Sequence, residues 1–346
     1  MPAIRTAVLL SLSLSLLAQC TAQPGGEERR DSAPVVRGAG VHAAGSRGEA
    51  PQTKETQTKE TQGLLSSIAV IGASVSCGSG NAKELRVLRD VPLGVFLKST
   101  LTDEQSKRSR FLDLGDTFFF MNPDVNANVQ VSKAKAFEPT LIVALDFLFW
   151  FAYGEETRKS PRRAEGLERG LRILGRLDGP MVVGDLPDID HALQGVGPFG
   201  GPIVRPAMFP STEERLAMNQ RIAEWAKARG NVRMVHLDGL ITKMIRGEPV
   251  ELRGNAWTVK KLSNALQRDR LHPTVKGSVW TALHVADAIA GLGDSIETRF
   301  AWNVERAEKG VLAATEKARD AKRQADERRT AQREAREGRR EQEAAK

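Results

Sequence analysis

Ser74 stands at the tip of a glycine-rich turn, in the stretch IAVIGASVSCGSG that begins at Ile68 and ends at Gly80. The apolar, β-branched start of this stretch predicts a strand, and the glycines that follow predict a sharp bend into a helix. Gly, Ser and Ala are common in any such bend, so a purely structural serine also fits the local pattern. A nucleophilic serine needs a general base beside it, and that base must come from elsewhere in the chain.

A histidine with a carboxylate three residues before it occurs nearly two hundred residues later, in the stretch DRLHP that holds Asp269 and His272. Pro273 and Thr274 follow and open a strongly periodic segment that predicts a helix. At this spacing the carboxylate can accept the Nδ1 proton of the imidazole, which leaves Nε2 to face a nucleophile. Ser74, His272 and Asp269 are therefore candidates for a catalytic triad, although a histidine before a helix is more often a capping or surface residue.

Apolar runs alternate with amphipathic segments along the middle of the chain. Because strands that alternate with helices form a parallel sheet covered on both faces, the pattern predicts an α/β fold. Ligands bind beyond the carboxyl ends of such strands, which places Ser74, Asp146 and Asp185 at one edge of the sheet. The predicted strands are residues 68–72, 141–146, 181–184 and 232–237, and the predicted helices are residues 129–137, 161–177, 212–229 and 274–291.

The stretches IGASVS and DRLHP together resemble the first and last blocks of the SGNH or GDSL hydrolase family, over roughly residues 68–292. The resemblance implies that Ser74 is the nucleophile, His272 the base and Asp269 the residue that orients the base. It also implies a three-layer α/β/α sandwich with a parallel, flavodoxin-like sheet of five strands. The expected activity is hydrolysis of an ester through an acyl-enzyme.

The third block departs from the family pattern, in which an asparagine donates a hydrogen bond to the oxyanion. The stretch VALDFLFW has Leu145 at that position and Asp146 at the position of the motif's aspartate. Leucine has no donor, and the loss of one oxyanion donor typically costs about 2.7 to 4 kcal/mol of transition-state stabilisation. Asp146 is either a protonated donor in an apolar setting or a hydrogen-bonded structural aspartate. The first block also departs, because Ala73 replaces the usual aspartate.

Several other residues are candidates for the oxyanion site and the substrate pocket. In the stretch FLDLGDTFFFMNP, Gly115 is the candidate backbone donor and Asn122 a second candidate donor. Phe147 and Trp150 follow a predicted strand, and such aromatic residues either pack in the core or line an acyl pocket. Asp185 follows the next strand and is expected to shape the pocket rim.

The first twenty residues have the layout of a secretory signal, with a basic start at Arg5, an apolar stretch and a small-residue end. LLAQC resembles a bacterial lipobox in which Cys20 would be lipidated, and ordinary signal cleavage nearby is the alternative. We therefore expect an exported protein that is periplasmic or associated with the cell envelope, with a membrane contact through a lipid anchor if Cys20 is lipidated. Residues 21–62 are polar and repetitive, which predicts a disordered tether.

The remaining composition limits the classes of function. The net charge is +8, but acidic and basic residues are mixed along the chain, so no nucleic-acid partner is expected. The sequence contains no HExxH motif, no CxxC pair and no cofactor-binding loop, and we expect neither a metal nor a cofactor. Cys77 is expected to pack as a small apolar side chain. Residues 63–300 are expected to form the catalytic domain, and residues 301–346 a charged helical tail.

Three functions fit these patterns. The first is an esterase whose substrate is an acylated carbohydrate, a lipid or a small ester. The second is a weak or inactive member of the same fold that binds a partner, and the missing asparagine favours it. The third is an acyltransferase that uses the same Ser74, His272 and Asp269.

Overall fold

The computed structural model describes residues 63–154, 162–198 and 200–344, except for the side chains of 333–335 and 338–344. The signal, the lipobox with Cys20 and the tether expected over residues 1–62 lie outside the described residues. None of the described helices is both long enough and apolar enough to cross a bilayer.

Five short parallel strands form the central sheet, in the order β2-β1-β3-β4-β5. This is the flavodoxin-like order, and the predicted three-layer α/β/α fold class is confirmed. Four strands lie within the predicted apolar runs or start one residue before them. The fifth, β2, lies at an edge with half-buried or exposed residues, and the apolar pattern did not locate it. The strands are β1 (Ser67–Val70), β2 (Arg110–Asp113), β3 (Leu141–Ala144), β4 (Met181–Gly184) and β5 (Val232–Val235).

Helices connect the strands and cover both faces of the sheet. The four predicted helices are present, with α8 at the predicted bounds and α5 beginning six residues earlier than expected. The helices are α1 (Ser74–Cys77), α2 (Ala82–Leu85), α3 (Leu93–Thr100), α4 (Asp103–Arg108), α5 (Pro123–Phe137), α6 (Phe149–Ala152), α7 (Arg162–Leu174), α8 (Thr212–Arg229), α9 (Leu237–Arg246), α10 (Val275–Ala290), α11 (Val304–Ala314) and α12 (Glu316–Ala344).

The alternation of side chains along β3 shows how the layers are built. Ile142 and Ala144 belong to a core cluster with α5, α7 and α8. Leu141 and Val143 belong to the cluster on the opposite face, which includes residues of α3, α10 and α11. Because neighbouring residues in a strand point to opposite faces, a strand buried on both sides must be apolar at every position.

A two-stranded antiparallel hairpin, β6 (Pro249–Leu252) and β7 (Asn255–Thr258), follows α9. Its buried Val250 and Trp257 pack with Leu240 and Met244 of α9 and with Trp280 of α10. The hairpin therefore closes the space between the two helices.

The helix α11 packs on the body of the domain. Ala307 and Val311 are fully buried, and the Arg306 guanidinium donates to the carbonyl oxygens of Ser99 and Leu101 at 3.3 and 2.9 Å. The packed domain thus continues to the end of α11, beyond the boundary expected at residue 300. The charged helix expected in this part of the chain is α12.

Candidate active site

The turn after β1 presents Ser74 as the first residue of α1, with only 9% of the serine exposed. Gly72, with a φ of +147°, makes the bend possible, because a β-carbon there would lie 2.2 Å from Oδ1 of Asp146. Gln130 of α5 holds the same glycine. Its Oε1 accepts the Gly72 N–H and its Nε2 donates to the Gly72 carbonyl, both at 2.8 Å.

Asp146 lies buried beneath this turn and accepts four hydrogen bonds. The Oδ1 atom accepts from the Ala73 N–H at 2.9 Å and the Ser76 hydroxyl at 2.5 Å. The Oδ2 atom accepts from the N–H groups of Val75 and Ser76 at 2.7 and 3.3 Å. Burial raises the pKa of Asp146, against the opposing effect of these donors. This arrangement favours the structural role over the alternative in which Asp146 donates to an oxyanion.

The loop before α10 holds Asp269 and His272 in contact. Asp269 Oδ2 lies 2.8 Å from His272 Nδ1, and Oδ1 accepts the backbone N–H groups of Leu271 and His272 at 2.9 and 3.0 Å. Burial alone would raise the pKa of Asp269, but the hydrogen bonds from His272 and the two N–H groups outweigh it and lower the pKa. An ionised Asp269 fixes the tautomer in which Nδ1 carries the proton and Nε2 is free to accept one.

Gln267 joins this loop to the turn of Ser74. Its Nε2 donates to the carbonyl oxygens of Ser79 and Pro273, both at 2.9 Å, and its N–H donates to the His272 carbonyl at 2.8 Å. Ser74, Leu271 and Pro273 line one cavity, so the loop and the turn meet at its wall.

The Nε2 atom of His272 is buried and has no hydrogen-bond partner in the described part of the chain. The Ser74 hydroxyl therefore makes no hydrogen bond to this nitrogen. Catalytic hydrogen bonds are often long in structures without substrate. The imidazole keeps a free acceptor, and its neighbours Leu271 and Pro273 line the cavity of Ser74 while His272 itself does not.

Two backbone groups near Ser74 have unused donors. Within residues 63–154, 162–198 and 200–344, the N–H groups of Ser74 and Gly115 donate to no acceptor. Gly115 lies against α1, because a β-carbon on it would come within 2.4 Å of the Cys77 nitrogen. Leu145 is buried and offers no side-chain donor, and Asn122 caps α5 by accepting the Val125 N–H at 3.2 Å.

Trp150 and Asp185 both line the cavity. Asp185 accepts the Asp238 N–H at 2.9 Å and lies 3.4 Å from His236 Nδ1, so it holds the start of α9 against β4. Burial raises the pKa of Asp185, and these two contacts oppose the shift.

Phe147 differs from the pocket prediction. It is fully buried and packs with Phe119 and Phe151, at ring distances of 5.5 and 6.0 Å, rather than lining the cavity. Phe147 therefore belongs to the core, which is the alternative weighed for this aromatic run. The reason is its position, since Phe147 follows the strand by three residues and points into the layer of α5 and α7.

A 3-10 turn, Asp190–Gln194, supports the histidine loop from outside, and the sequence analysis did not single it out. A β-carbon on Gly195 would lie 1.9 Å from the Asp269 carbonyl oxygen, so the two backbones touch. The Val196 N–H donates to the Arg268 carbonyl at 2.8 Å. Gly195, like Gln130 and Gln267, acts through contacts with residues distant in sequence, and no local signal could have revealed it.

The described residues contain no group of three His, Cys, Asp or Glu side chains arranged to hold a metal ion.

No family model matches this sequence, and no curated protein matches it. Among solved structures, one that resembles the chain is described as a gut microbial diltiazem-metabolizing enzyme, with 11% sequence identity and a TM-score of 0.37. The match covers 64% of this chain and 46% of the other, so the chain spans less than half of that structure. A likeness this distant supports no inference about the activity of the chain.

Proposed function

We propose that the protein is a serine hydrolase that cleaves an ester through an acyl-enzyme, as members of the SGNH or GDSL family do. The observation that carries the proposal is the pair of Asp269 and His272. The carboxylate orients the ring at 2.8 Å, and the buried Nε2 has no partner within the described chain. Other buried nitrogens, such as His191 Nδ1 and His284 Nε2, also lack a partner there, but only His272 combines a free ring nitrogen with an orienting carboxylate on the loop that meets the turn of Ser74.

The reaction has two steps in this proposal. Ser74 Oγ forms a bond to the carbonyl carbon of the ester, and its proton moves to His272 Nε2. The tetrahedral intermediate collapses, the alcohol leaves with that proton, and the acyl group stays on Ser74. Water then attacks the acyl carbon and gives a proton to His272. The bond from Ser74 Oγ to the acyl carbon breaks, His272 returns the proton to Oγ, and the carboxylic acid leaves. Asp269 stabilises the imidazolium in both steps without taking the proton.

The unused N–H groups of Ser74 and Gly115 are the donors for the oxyanion in this scheme. Both belong to backbone that is held by packing, which suits electrostatic stabilisation without reorganisation. The side-chain donor of the family is replaced by Leu145. We therefore expect chemistry that is about 10²- to 10³-fold slower than with three donors.

The first test is covalent labelling of the purified full chain with a fluorophosphonate probe, which reacts with activated serines. We expect labelling of the native chain and its loss in both Ser74→Ala and His272→Ala. The matched control is Ser79→Ala, a serine in the same turn that does not line the cavity. Circular dichroism establishes that each variant is folded.

An unlabelled but folded native chain would overturn the proposal and favour a binding protein on the same fold. An acyltransferase would be labelled as well. Product analysis separates the two activities, since a transferase moves the acyl group to an added alcohol and a hydrolase releases the acid. Export and the lipid anchor at Cys20 also stay proposals, and they rest on the first twenty residues of the sequence alone.

A further inference from the structure

The cavity that Ser74 lines has an inner end that is apolar and closed. Its empty volume is about 840 Å³, including the solvent at its mouth. Leu240 and Met244 of α9 and Leu266 of the histidine loop line it, and each is less than 10% exposed. Phe149 and Trp150 of α6 also line the cavity but are only half-buried. Leu237 and Ile241 of α9 line the cavity and are half-buried as well, so the inner end is the wall formed by the buried Leu240, Met244 and Leu266.

The polar side chains that line this cavity, apart from Ser74, already have partners. The Thr281 hydroxyl donates to the Gly277 carbonyl at 2.9 Å. Asp146 accepts four hydrogen bonds from the turn of the serine, and Asp185 accepts the Asp238 N–H. Asp146, Asp185 and Thr281 therefore offer a ligand no free donor, while the Asp185 carboxylate and the Thr281 hydroxyl keep lone pairs.

The apolar wall and the lack of free donors on Asp146, Asp185 and Thr281 favour some classes of acyl group over others. A sugar or a charged group placed against the wall of Leu240, Met244 and Leu266 would lose its water and meet only apolar side chains there, and that desolvation is costly. A hydrocarbon chain loses nothing on leaving water and gains contacts with the aliphatic wall. An acetyl group is too short to reach beyond the neighbourhood of Ser74 and would leave the inner end empty.

We infer that the substrate is an ester of an aliphatic fatty acid, whose hydrocarbon chain occupies the apolar end between α9 and α10. The inference rests on the proposed function, because it assumes that Ser74 forms the acyl-enzyme. It assigns Met244 and Leu240 as residues that set the length of the accepted chain.

A series of p-nitrophenyl esters with acyl chains of two, four, six and eight carbons tests the inference on the purified full chain. Each buried methylene contributes about a fourfold increase in kcat/KM. We therefore expect hexanoate to be hydrolysed with a kcat/KM on the order of 100-fold higher than acetate.

Two substitutions on α9 provide a matched pair. Met244 is 5% exposed and lines the cavity, whereas its neighbour Ile245 is 44% exposed and does not. We expect Met244→Trp to lower the octanoate-to-acetate ratio of kcat/KM by about tenfold or more, and Ile245→Trp to leave that ratio within about twofold. The ratio is independent of the folded fraction, so partial unfolding of the tryptophan variant does not mimic the result. Met244→Ala should shift the preferred chain to a greater length.

The outcomes separate the inference from the proposal beneath it. A native chain that prefers acetate, or Met244 variants with the same ratio as the Ile245 variant, would overturn the fatty-acyl assignment while the hydrolase stands. A chain that hydrolyses none of the esters and takes no fluorophosphonate label would overturn the hydrolase, and the inference with it.

Discussion

Asp146 is a buried carboxylate and Asp269 a partly buried one, and their partners give them different roles. Asp146 accepts three backbone N–H groups and one hydroxyl, all from the turn that carries Ser74. Oδ1 of Asp269 accepts two backbone N–H groups of its own loop, and Oδ2 contacts the ring of His272. The first carboxylate shapes the backbone under the proposed nucleophile, Ser74, and the second orients the proposed base, His272.

Asp113 at the end of β2 is a third partly buried carboxylate, and it makes stability depend on pH. Burial raises its pKa from 3.8 to about 6, and the hydrogen bond from the Gly94 N–H only partly opposes this. Between about pH 4 and pH 6 the folded state therefore binds a proton that the unfolded state has released. Stability from this group is present at low pH and is lost as the pH rises through about 6.

We expect the free energy of unfolding of the native chain to fall by up to about 3 kcal/mol between pH 4 and pH 7 because of Asp113. Asp113→Asn keeps an acceptor for the Gly94 N–H and removes the titration, so this part of the fall should disappear. Urea unfolding of the native chain and of Asp113→Asn, each at pH 4 and at pH 7, measures the change in the free energy of unfolding with pH. Asp294→Asn, at an exposed aspartate, is the control, and equal pH dependence in the two variants would contradict the role of Asp113.

At the scale of elements, the 3-10 turn before Gly195 supports the loop that carries the base. A side chain at Gly195 would meet the Asp269 backbone, which is not a flexible partner. We expect Gly195→Ala to move that loop by a few tenths of an ångström or more and to slow fluorophosphonate labelling by about 10- to 100-fold. Labelling rates of the folded variant and the native chain measure this effect.

Gly201→Ala is the matched control, because a β-carbon there meets nothing within 4 Å. That variant should label at the native rate. If Gly195→Ala labels as fast as Gly201→Ala, the turn does not position the base.

The sequence predicted four strands and missed the edge strand β2, for a physical reason. β1, β3 and β4 are buried on both faces and read as apolar runs, and the other edge strand, β5, still buries Val232 and Val235. Every residue of β2 is half-buried or exposed. The contact of Asp269 with His272 was predictable, since both belong to one short loop with a fixed spacing. The contacts of Gln130 and Gln267 were not predictable from the sequence. Gln130 holds backbone that is 58 residues away in the chain, and Gln267 holds backbone that is 188 residues away.

At the scale of the whole molecule, the domain includes a helix that the sequence assigned to the charged tail. Removal of everything after Phe300 would expose the surface that Ala307 and Val311 of α11 cover, and would remove the Arg306 hydrogen bonds. We expect that truncation to lower the free energy of unfolding by at least about 3 kcal/mol.

Truncation after Thr315 is the matched comparison, because it removes the charged α12 and keeps α11. We expect it to cost less than about 1 kcal/mol and to leave fluorophosphonate labelling unchanged. Denaturant unfolding of the two truncated chains measures both values. Equal losses of unfolding free energy in the two truncated chains would contradict the claim that α11 stabilises the domain and α12 does not.

Gln267 joins backbone from the two ends of the domain, since it reaches Ser79 across 188 positions of the chain. A ribosome makes Ser74 early and His272 late, and the helix α10 that supports the histidine loop is completed only at Ala290. Under the proposed function, the nascent chain therefore carries Ser74 without its base until the loop of His272 and α10 have been made. We expect the serine to stay unactivated until then.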